Sequence, residues 1–285
     1  MPLDRGIVGW ASGPVPVSWD SSRAMIYALG VGAGSVPGLD ELAFVTENTA
    51  GLPQQVLPTF PVLLGQGTAR IPYGDIDRAR LVHAQQSVEL LGEIAPDGSG
   101  LVSTRVTGVY DKSSGALVTT EVMLTGDDGT PLARMAGGSF IRGEGGFGGD
   151  RGPASSWAVP GRPPDLVIEQ PTLPWQALLY RLSGDRNPLH SDPKFAAAGG
   201  FSRPILHGMC TYGIAGRALL HGVAGGEPGR LTTMSARFSA PVRPGDTLVT
   251  SIWREPDEVR FMTRTGDGTA VLSQGRAVID QAGLQ

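Results

Sequence analysis

Cysteine is almost absent from this chain of 285 residues, which contains only Cys210. One cysteine excludes an internal disulfide and any Cys-x-x-Cys metal or redox motif. The sequence also lacks an apolar run near the roughly 18 residues that span a bilayer. Its first residues, MPLDRGIVGW, lack the basic start and apolar stretch of a secretory signal, and its last three, Gly-Leu-Gln, are not a peroxisomal address. These absences predict a cytoplasmic protein that does not enter a membrane.

Charge is also scarce and shows no strong excess of either sign. Charged residues make up 18% of the chain, the net charge is −4 and the isoelectric point is about 5.6. A nucleic-acid-binding protein needs a basic surface to neutralise phosphates. The composition therefore excludes nucleic acid as an expected partner.

Glycine and proline are abundant, with 42 and 23 residues, and they are densest between Gly143 and Pro164. Such a segment can neither propagate a helix nor hold a central strand, so it predicts a linker. Its glycines lack the Lys-Ser/Thr ending of a phosphate-binding loop. The predicted organisation is a first half of residues 1–142, a linker of residues 143–164 and a second half of residues 165–285.

Short sequences recur in the same order in both halves. Residues 125–130 read TGDDGT and residues 265–269 read TGDGT, while Tyr27-Ala28-Leu29 returns as Tyr180-Arg181-Leu182. The Thr-Gly-Asp segments lie between strand-like stretches and resemble hairpin turns. Ordered matches about 140 to 150 residues apart predict a duplicated module.

The predicted helices and strands follow the same order in the two halves. Asp20 and Thr172 are placed to cap helices that run to Ala28 and Tyr180, and residues 208–222 carry an apolar stripe at helical spacing. Alternating patterns predict strands at 80–92, 101–110, 116–124 and 131–141, and again at 231–239, 247–254, 257–264 and 269–280. A helix packed on an antiparallel sheet in each half is an α+β fold.

The run from Ser183 to His190 combines the groups of an acid/base site. Pro188 forbids a regular helix, so the chain between Asp185 and His190 is a bent loop that can aim both side chains at one point. A carboxylate and an imidazole there can share one water molecule and transfer protons without a metal or cofactor. The alternative is structural: Asp185 and Asn187 would hold turns and His190 would begin a helix.

Gly208 strengthens the catalytic interpretation. It begins the predicted central helix, where a backbone N–H is unpaired and favoured by the helix dipole. Such a donor stabilises negative charge on a carbonyl oxygen by ~3–4 kcal/mol in other enzymes. Zinc is disfavoured because 16 residues separate His190 from His207, and Ser183 and Cys210 lack the setting of a nucleophile. His83 and His221 are expected to be structural.

The run YRLSGDRNPLH at residues 180–190, followed by PILHG at 204–208, resembles the hydratase 2 motif of the MaoC-like dehydratases. The resemblance continues at YALGVGAG (27–34) and QQVLPTF (54–60), which look like the two-module form, (R)-specific enoyl-CoA hydratase 2. It implies a double hot-dog fold, in which each half has a long helix wrapped by an antiparallel sheet.

The resemblance also implies a reaction, the reversible hydration of a trans-2-enoyl-CoA to a (3R)-3-hydroxyacyl-CoA. Asp185 and His190 would flank the water, one accepting its proton while the other protonates the α-carbon. Gly208 N–H would bind the thioester oxygen, and Asn187 would help to fix the thioester and the loop. No cofactor is expected beyond CoA itself, the substrate would be an acyl-CoA or acyl-carrier-protein thioester, and the family expectation is a homodimer.

Aligning QQVLPTF with RPILHGM places Pro58 opposite His207 and Thr59 opposite Gly208, so the first half has no acid/base pair. One active site per chain is therefore predicted, with the first half as structural partner and wall of the acyl pocket. The sequence leaves open an acyl-CoA thioesterase, a non-catalytic thioester-binding module and a dehydratase of a secondary-metabolite thioester. Selection between CoA and carrier protein would depend on surface arginines, for which Arg203, Arg217 and Arg230 are the candidates.

Overall fold

A computed structural model describes residues 3–36 and 40–280 of the chain. The strands are β1 (Val15–Trp19), β2 (Leu81–Leu90), β3 (Gly98–Asp111), β4 (Gly115–Gly126), β5 (Pro131–Arg142), β6 (Leu166–Pro171), β7 (Leu231–Phe238), β8 (Thr247–Arg254), β9 (Val259–Thr265) and β10 (Ala270–Ile279). The α-helices are α1 (Ser21–Gly30), α2 (Leu42–Val45), α3 (Pro61–Gly65), α4 (Gln176–Tyr180), α5 (Pro193–Ala198) and α6 (Gly208–Val223).

All of these strands form one antiparallel sheet, in the order β1-β3-β4-β5-β2-β7-β10-β9-β8-β6. Counted from either edge to the centre, each half contributes its first, third, fourth, fifth and second strand. The two halves meet where β2 pairs with β7, with Gln85 opposite Arg237 and Val88 opposite Met234. The repeated strand order is what a duplicated module produces, as the recurring turn sequences predicted.

The eight strands predicted from alternation are all present, with bounds that differ by a few residues. The sequence analysis missed β1 and β6, which are the two edge strands of the sheet. They are short, and β1 contains Pro16 while β6 ends at Pro171. Edge strands tolerate proline because one side of the strand needs no ladder hydrogen bond.

The helix predicted from Asp20 is confirmed. The Asp20 carboxylate accepts a hydrogen bond from the Arg23 N–H at 2.7 Å and so caps α1. The cap predicted at Thr172 is wrong, because α4 begins only at Gln176. The Thr172 hydroxyl instead donates to the Asp246 carbonyl oxygen at 2.7 Å and joins the end of β6 to the loop before β8.

The long helix of the second half is α6, which runs for 16 residues and is buried along most of its length. Its counterpart in the first half, by the alignment of Thr59 with Gly208, is the five-residue α3. That helix ends at Gly65, and Gly67 follows in the left-handed region at φ 70°. Glycine at these positions stops the helix. Among the described residues only the second half has a long central helix, so the expectation of a long helix in each half is wrong for the first half.

A buried ion pair joins the first half to α6. Arg217 is 1% exposed and donates to both carboxylate oxygens of Glu41, at 2.8 and 2.6 Å, while His221 lies 2.9 Å from the same carboxylate. Burial opposes ionisation of Glu41, but hydrogen bonds from His221 and Arg217 and the Arg217 charge lower its pKa to about 2. The suggestion that Arg217 is a surface arginine for substrate selection is therefore wrong, since Glu41 occupies its guanidinium.

Residues 143–165 contain neither helix nor strand, and they are anchored to both halves. Gly146 and Gly148 donate their N–H groups to the Asp111 carboxylate of β3 at 2.8 and 2.7 Å. The Trp157 indole donates to the Gly275 carbonyl oxygen of β10 at 2.9 Å. The exact domain boundaries at 142 and 165 stay a prediction.

Among the described residues, none of the helices combines the length and apolar character that crossing a bilayer requires.

Candidate active site

The loop after α4 changes direction several times within a few residues. A 3-10 turn over Arg181–Ser183 is followed by Gly184 at φ 131°, a backbone conformation that favours glycine. A second 3-10 turn covers Pro188–His190, and the Asn187 side chain caps it by accepting from the Leu189 N–H at 3.0 Å. The bent course expected from Pro188, with no regular α-helix between Asp185 and His190, is present.

This loop and the start of α6 bring three polar side chains together. Potential ligand atoms of Asp185, His190 and His207 all lie within 4.8 Å of one another. The structure thus places Asp185 beside His190, as the sequence analysis expected, and adds His207. His207 was passed over because 16 residues separate it from His190; its position directly before Gly208 was the signal available in the sequence.

His190 is buried, 8% exposed, and its Nδ1 lies 2.8 Å from the Ile205 carbonyl oxygen. A carbonyl oxygen can only accept, so Nδ1 carries the hydrogen and Nε2 has a free lone pair. Burial lowers the pKa of His190, against the opposing effects of the Ile205 hydrogen bond and the Asp185 charge. His190 is therefore a neutral imidazole able to accept a proton at Nε2.

His207 supports both members of the pair. Its Nε2 donates to the Asp185 carbonyl oxygen at 3.2 Å, and its ring stacks on His190 with centroids 3.7 Å apart and planes 26° apart. Burial, and then the neighbouring His190, lower the pKa of His207 to about 3, so its ring is neutral. Its Nδ1 is buried and has no hydrogen-bond partner among the described residues.

Gly208 is the first residue of α6, and His207 before it makes no side-chain cap to the helix. The N–H groups of a first helical turn have no partner within the helix, and the dipole makes this end positive. Gly208 is exposed, whereas a Cβ added there would lie 3.2 Å from the Phe238 ring of β7. Glycine therefore leaves this N–H accessible to a carbonyl oxygen.

Asp185, His190 and His207 also form a possible ligand set for a divalent metal, one carboxylate and two imidazoles. The stacking of the two rings bears on this possibility, because the lone pairs of an imidazole lie in its ring plane. Rings 3.7 Å apart and 26° from parallel direct their lone pairs side by side instead of towards one point. The observed arrangement is thus better suited to proton transfer than to tight metal binding.

Comparisons with known proteins agree with this architecture. The chain is 41% identical to the enoyl-CoA hydratase ChsH3 of Mycobacterium tuberculosis, over 96% of this chain and 98% of that protein. A MaoC-like dehydratase from Phytophthora capsici is 32% identical, with a TM-score of 0.86 over 99% of each chain. A double hot-dog protein of Mycobacterium tuberculosis superimposes with a TM-score of 0.59 at 15% identity, over 96% of both chains, a likeness of fold alone.

Family models match both halves. The MFE-2 hydratase 2 N-terminal domain matches residues 18–143, and the MaoC like domain matches residues 156–275. The sheet topology and the likenesses to solved structures confirm the double hot-dog fold expected from the sequence. The chain belongs to the MaoC-like dehydratase family, in the two-module form that begins with an MFE-2 hydratase 2 N-terminal domain.

Proposed function

We propose that this protein catalyses the reversible hydration of a trans-2-enoyl-CoA to a (3R)-3-hydroxyacyl-CoA. The observation that carries the proposal is the meeting of Asp185 and His190 beside the free N-terminus of α6 at Gly208. A hydro-lyase acting on a thioester needs a group that moves a proton and a donor that stabilises an enolate oxygen. Both lie at this point of the structure.

In the hydration direction, His190 takes a proton from water through its free Nε2 as the water oxygen bonds to Cβ. The π electrons of the alkene move to Cα and onto the thioester oxygen, giving an enolate. The resulting imidazolium then returns the proton to Cα, so that water is added across the double bond and the enzyme is unchanged. In this scheme the Asp185 carboxylate orients the water and stabilises the imidazolium, consistent with its raising effect on the pKa of His190.

Gly208 N–H is the proposed donor to the thioester oxygen. Negative charge on that oxygen grows as the enolate forms, so a fixed donor there stabilises the transition state more than the substrate. Asn187 is exposed and its Oδ1 accepts from the Leu189 N–H, while its amide N–H₂ has no partner among the described residues and can contact the thioester. We assign Asn187 to holding the loop and to this contact.

We further propose that the reaction proceeds without a metal or other cofactor, with CoA serving only as part of the substrate. The stacked rings of His190 and His207 support this proposal, because nearly parallel rings do not direct their lone pairs towards one metal ion. Histidines held in this way are fixed in position for proton transfer.

The same proposal covers the natural thioester carrier, the oligomeric state and the cellular compartment. We propose an acyl-CoA or acyl-carrier-protein thioester as substrate, a homodimer as the assembly and the cytoplasm as the compartment.

Of the arginines considered for carrier selection, Arg203 is exposed, while Arg230 is half-buried and donates to the carbonyl oxygens of Asp280 and Ala224. Arg203 is thus the better candidate to meet a carrier phosphate.

The test is turnover of trans-2-enoyl-CoAs of rising chain length, followed at the enoyl-thioester absorbance band, with the configuration of the product determined. A parallel free-thiol assay detects thioesterase activity, which would replace the proposal if it dominated. Asp185→Asn and His190→Gln should each lower kcat about 10²- to 10⁴-fold. The exposed Asp257→Asn is a matched control and should leave turnover unchanged.

Near-normal turnover of the Asp185→Asn variant would show that the chemistry lies elsewhere. Binding of enoyl-CoA without any turnover by the parent protein would favour a thioester-binding module instead. Secondary-metabolite thioesters added to the substrate panel distinguish a tailoring dehydratase from a fatty-acyl hydratase.

A further inference from the structure

Strand β2 contains a β-bulge between His83 and Gln85. Against β5, His83 is paired with Ser139, but Gln85 is paired with the adjacent Gly138, so Ala84 is an extra residue. A bulge of this kind reverses the face on which the preceding residues lie, because side chains alternate along a strand. Bulges are common next to active sites, where they redirect a side chain.

The bulge turns His83 towards the inside of the sheet. Beyond it, Gln86 and Val88 are the buried residues, so unbroken alternation would place His83 on the opposite, outer face. Instead its ring packs on Phe238, with ring centroids 5.0 Å apart. The inner-face position explains why a polar residue of the first half lies against an aromatic residue of the second half.

Phe238 connects His83 to the candidate active site. The Phe238 ring borders Gly208, since a Cβ on that glycine would lie 3.2 Å from it. His83 therefore lies on the first-half side of the N-terminus of α6, with one aromatic ring between it and the proposed oxyanion donor.

The electrostatic surroundings of His83 point to the same location. Burial lowers the pKa of His83, while the Gln85 backbone, the Gln86 side chain and the Asp185 charge oppose that effect. The Asp185 carboxylate is thus close enough to act on this imidazole from the other half of the molecule. A neutral imidazole has one donor nitrogen and one acceptor nitrogen.

We propose that His83 is a substrate-binding residue, which hydrogen-bonds the acyl thioester from the wall opposite Asp185 and His190. This inference rests on the proposed function and adds to it that the single active site is built from both halves. The first half then supplies a polar contact to the reacting end of the substrate, in addition to covering the acyl chain.

The test compares His83→Phe, which keeps a ring against Phe238 but removes both nitrogens, with His83→Gln, which keeps a donor and an acceptor. Gln85→Ala is the matched control, because this side chain lies two residues along β2 on the outer face, beside Trp157 and Arg237. The measurements are kcat and KM for one enoyl-CoA, and the Kd of the saturated acyl-CoA of equal length.

His83→Phe should raise KM and the saturated acyl-CoA Kd about tenfold with kcat within about threefold, as expected for one lost hydrogen bond to substrate. His83→Gln should recover most of the loss. Unchanged KM and Kd in His83→Phe would overturn the inference, as would a fall in kcat alone, which indicates a structural role. If the parent protein turns over no enoyl-CoA, the proposed function fails, and the acyl-CoA Kd of the variants still decides the role of His83.

Discussion

His207 stacks on His190, with ring centroids 3.7 Å apart, while its Nε2 donates to the backbone carbonyl oxygen of Asp185. One side chain thus contacts both Asp185 and His190, the two residues proposed to act on the water. The two rings form a neutral stack at rest, and the proposed mechanism places a positive charge on one of them during turnover.

His207→Phe should lower kcat about tenfold, because the variant keeps a ring against His190 but loses the hydrogen bond that holds Asp185. His207→Gln, whose amide nitrogen can take the place of Nε2, should recover part of that activity. Steady-state kinetics with an enoyl-CoA measures both, and thermal unfolding checks that the variants are folded. Equal kcat in the parent and His207→Phe would remove His207 from the mechanism.

The pH dependence of kcat/KM should show an acid limb that belongs to His190. Only the neutral imidazole can accept the water proton, so activity is lost as pH falls through the His190 pKa. Burial lowers that pKa, so the midpoint should lie below the ordinary value of about 6.5.

Asp185→Asn removes a negative charge that raises the pKa of His190. The titration of His190 in this variant, followed by NMR of ¹⁵N-labelled histidine, should therefore move to lower pH. A shift towards alkaline pH would contradict the proposed geometry.

Treatment with a chelator should leave the hydratase activity unchanged. The proposal assigns Asp185, His190 and His207 to proton transfer and to the support of the transferring group, so no metal needs to bind them. Activity after dialysis against EDTA, together with metal analysis of the dialysed protein, measures this. A loss of activity that a divalent metal restores would show that the three residues hold a cofactor.

The Glu41–Arg217 pair should contribute to stability in a pH-dependent way. Glu41→Gln leaves the buried guanidinium uncompensated and should lower the free energy of unfolding by about 3–5 kcal/mol. Because folding lowers the pKa of Glu41 from 4.5 to about 2, its contribution is present above pH 4.5 and is lost as pH falls through this interval. At about 1.36 kcal/mol per pKa unit, this contribution amounts to about 3 kcal/mol.

Urea unfolding at several pH values measures both effects. The double variant Glu41→Gln/Arg217→Met should be more stable than Glu41→Gln alone, because it removes the unpaired charge as well as its partner. Additive destabilisation by the two changes would show that the pair is not coupled.

Local sequence patterns were sufficient to predict much of the fold. Alternation located the eight inner strands, Asp20 located the start of α1, and the recurring Thr-Gly-Asp turns indicated the duplication. These features depend on interactions between residues close in the chain, which a single sequence displays directly. The edge strands β1 and β6 were missed because their short, proline-containing segments carry too little alternation to be recognised.

The sequence by itself determined the loop that carries Asp185 and His190 and the glycine that begins α6, since Pro188 and Gly208 act on the backbone locally. Only the tertiary structure decided which distant groups meet there. His207 reaches Asp185 and His190 through the packing of α6 against the loop. His83 packs on Phe238, which borders Gly208, because a bulge in β2 reverses the side-chain direction. Contacts between residues far apart in the chain depend on strand register and helix packing, which no local pattern encodes.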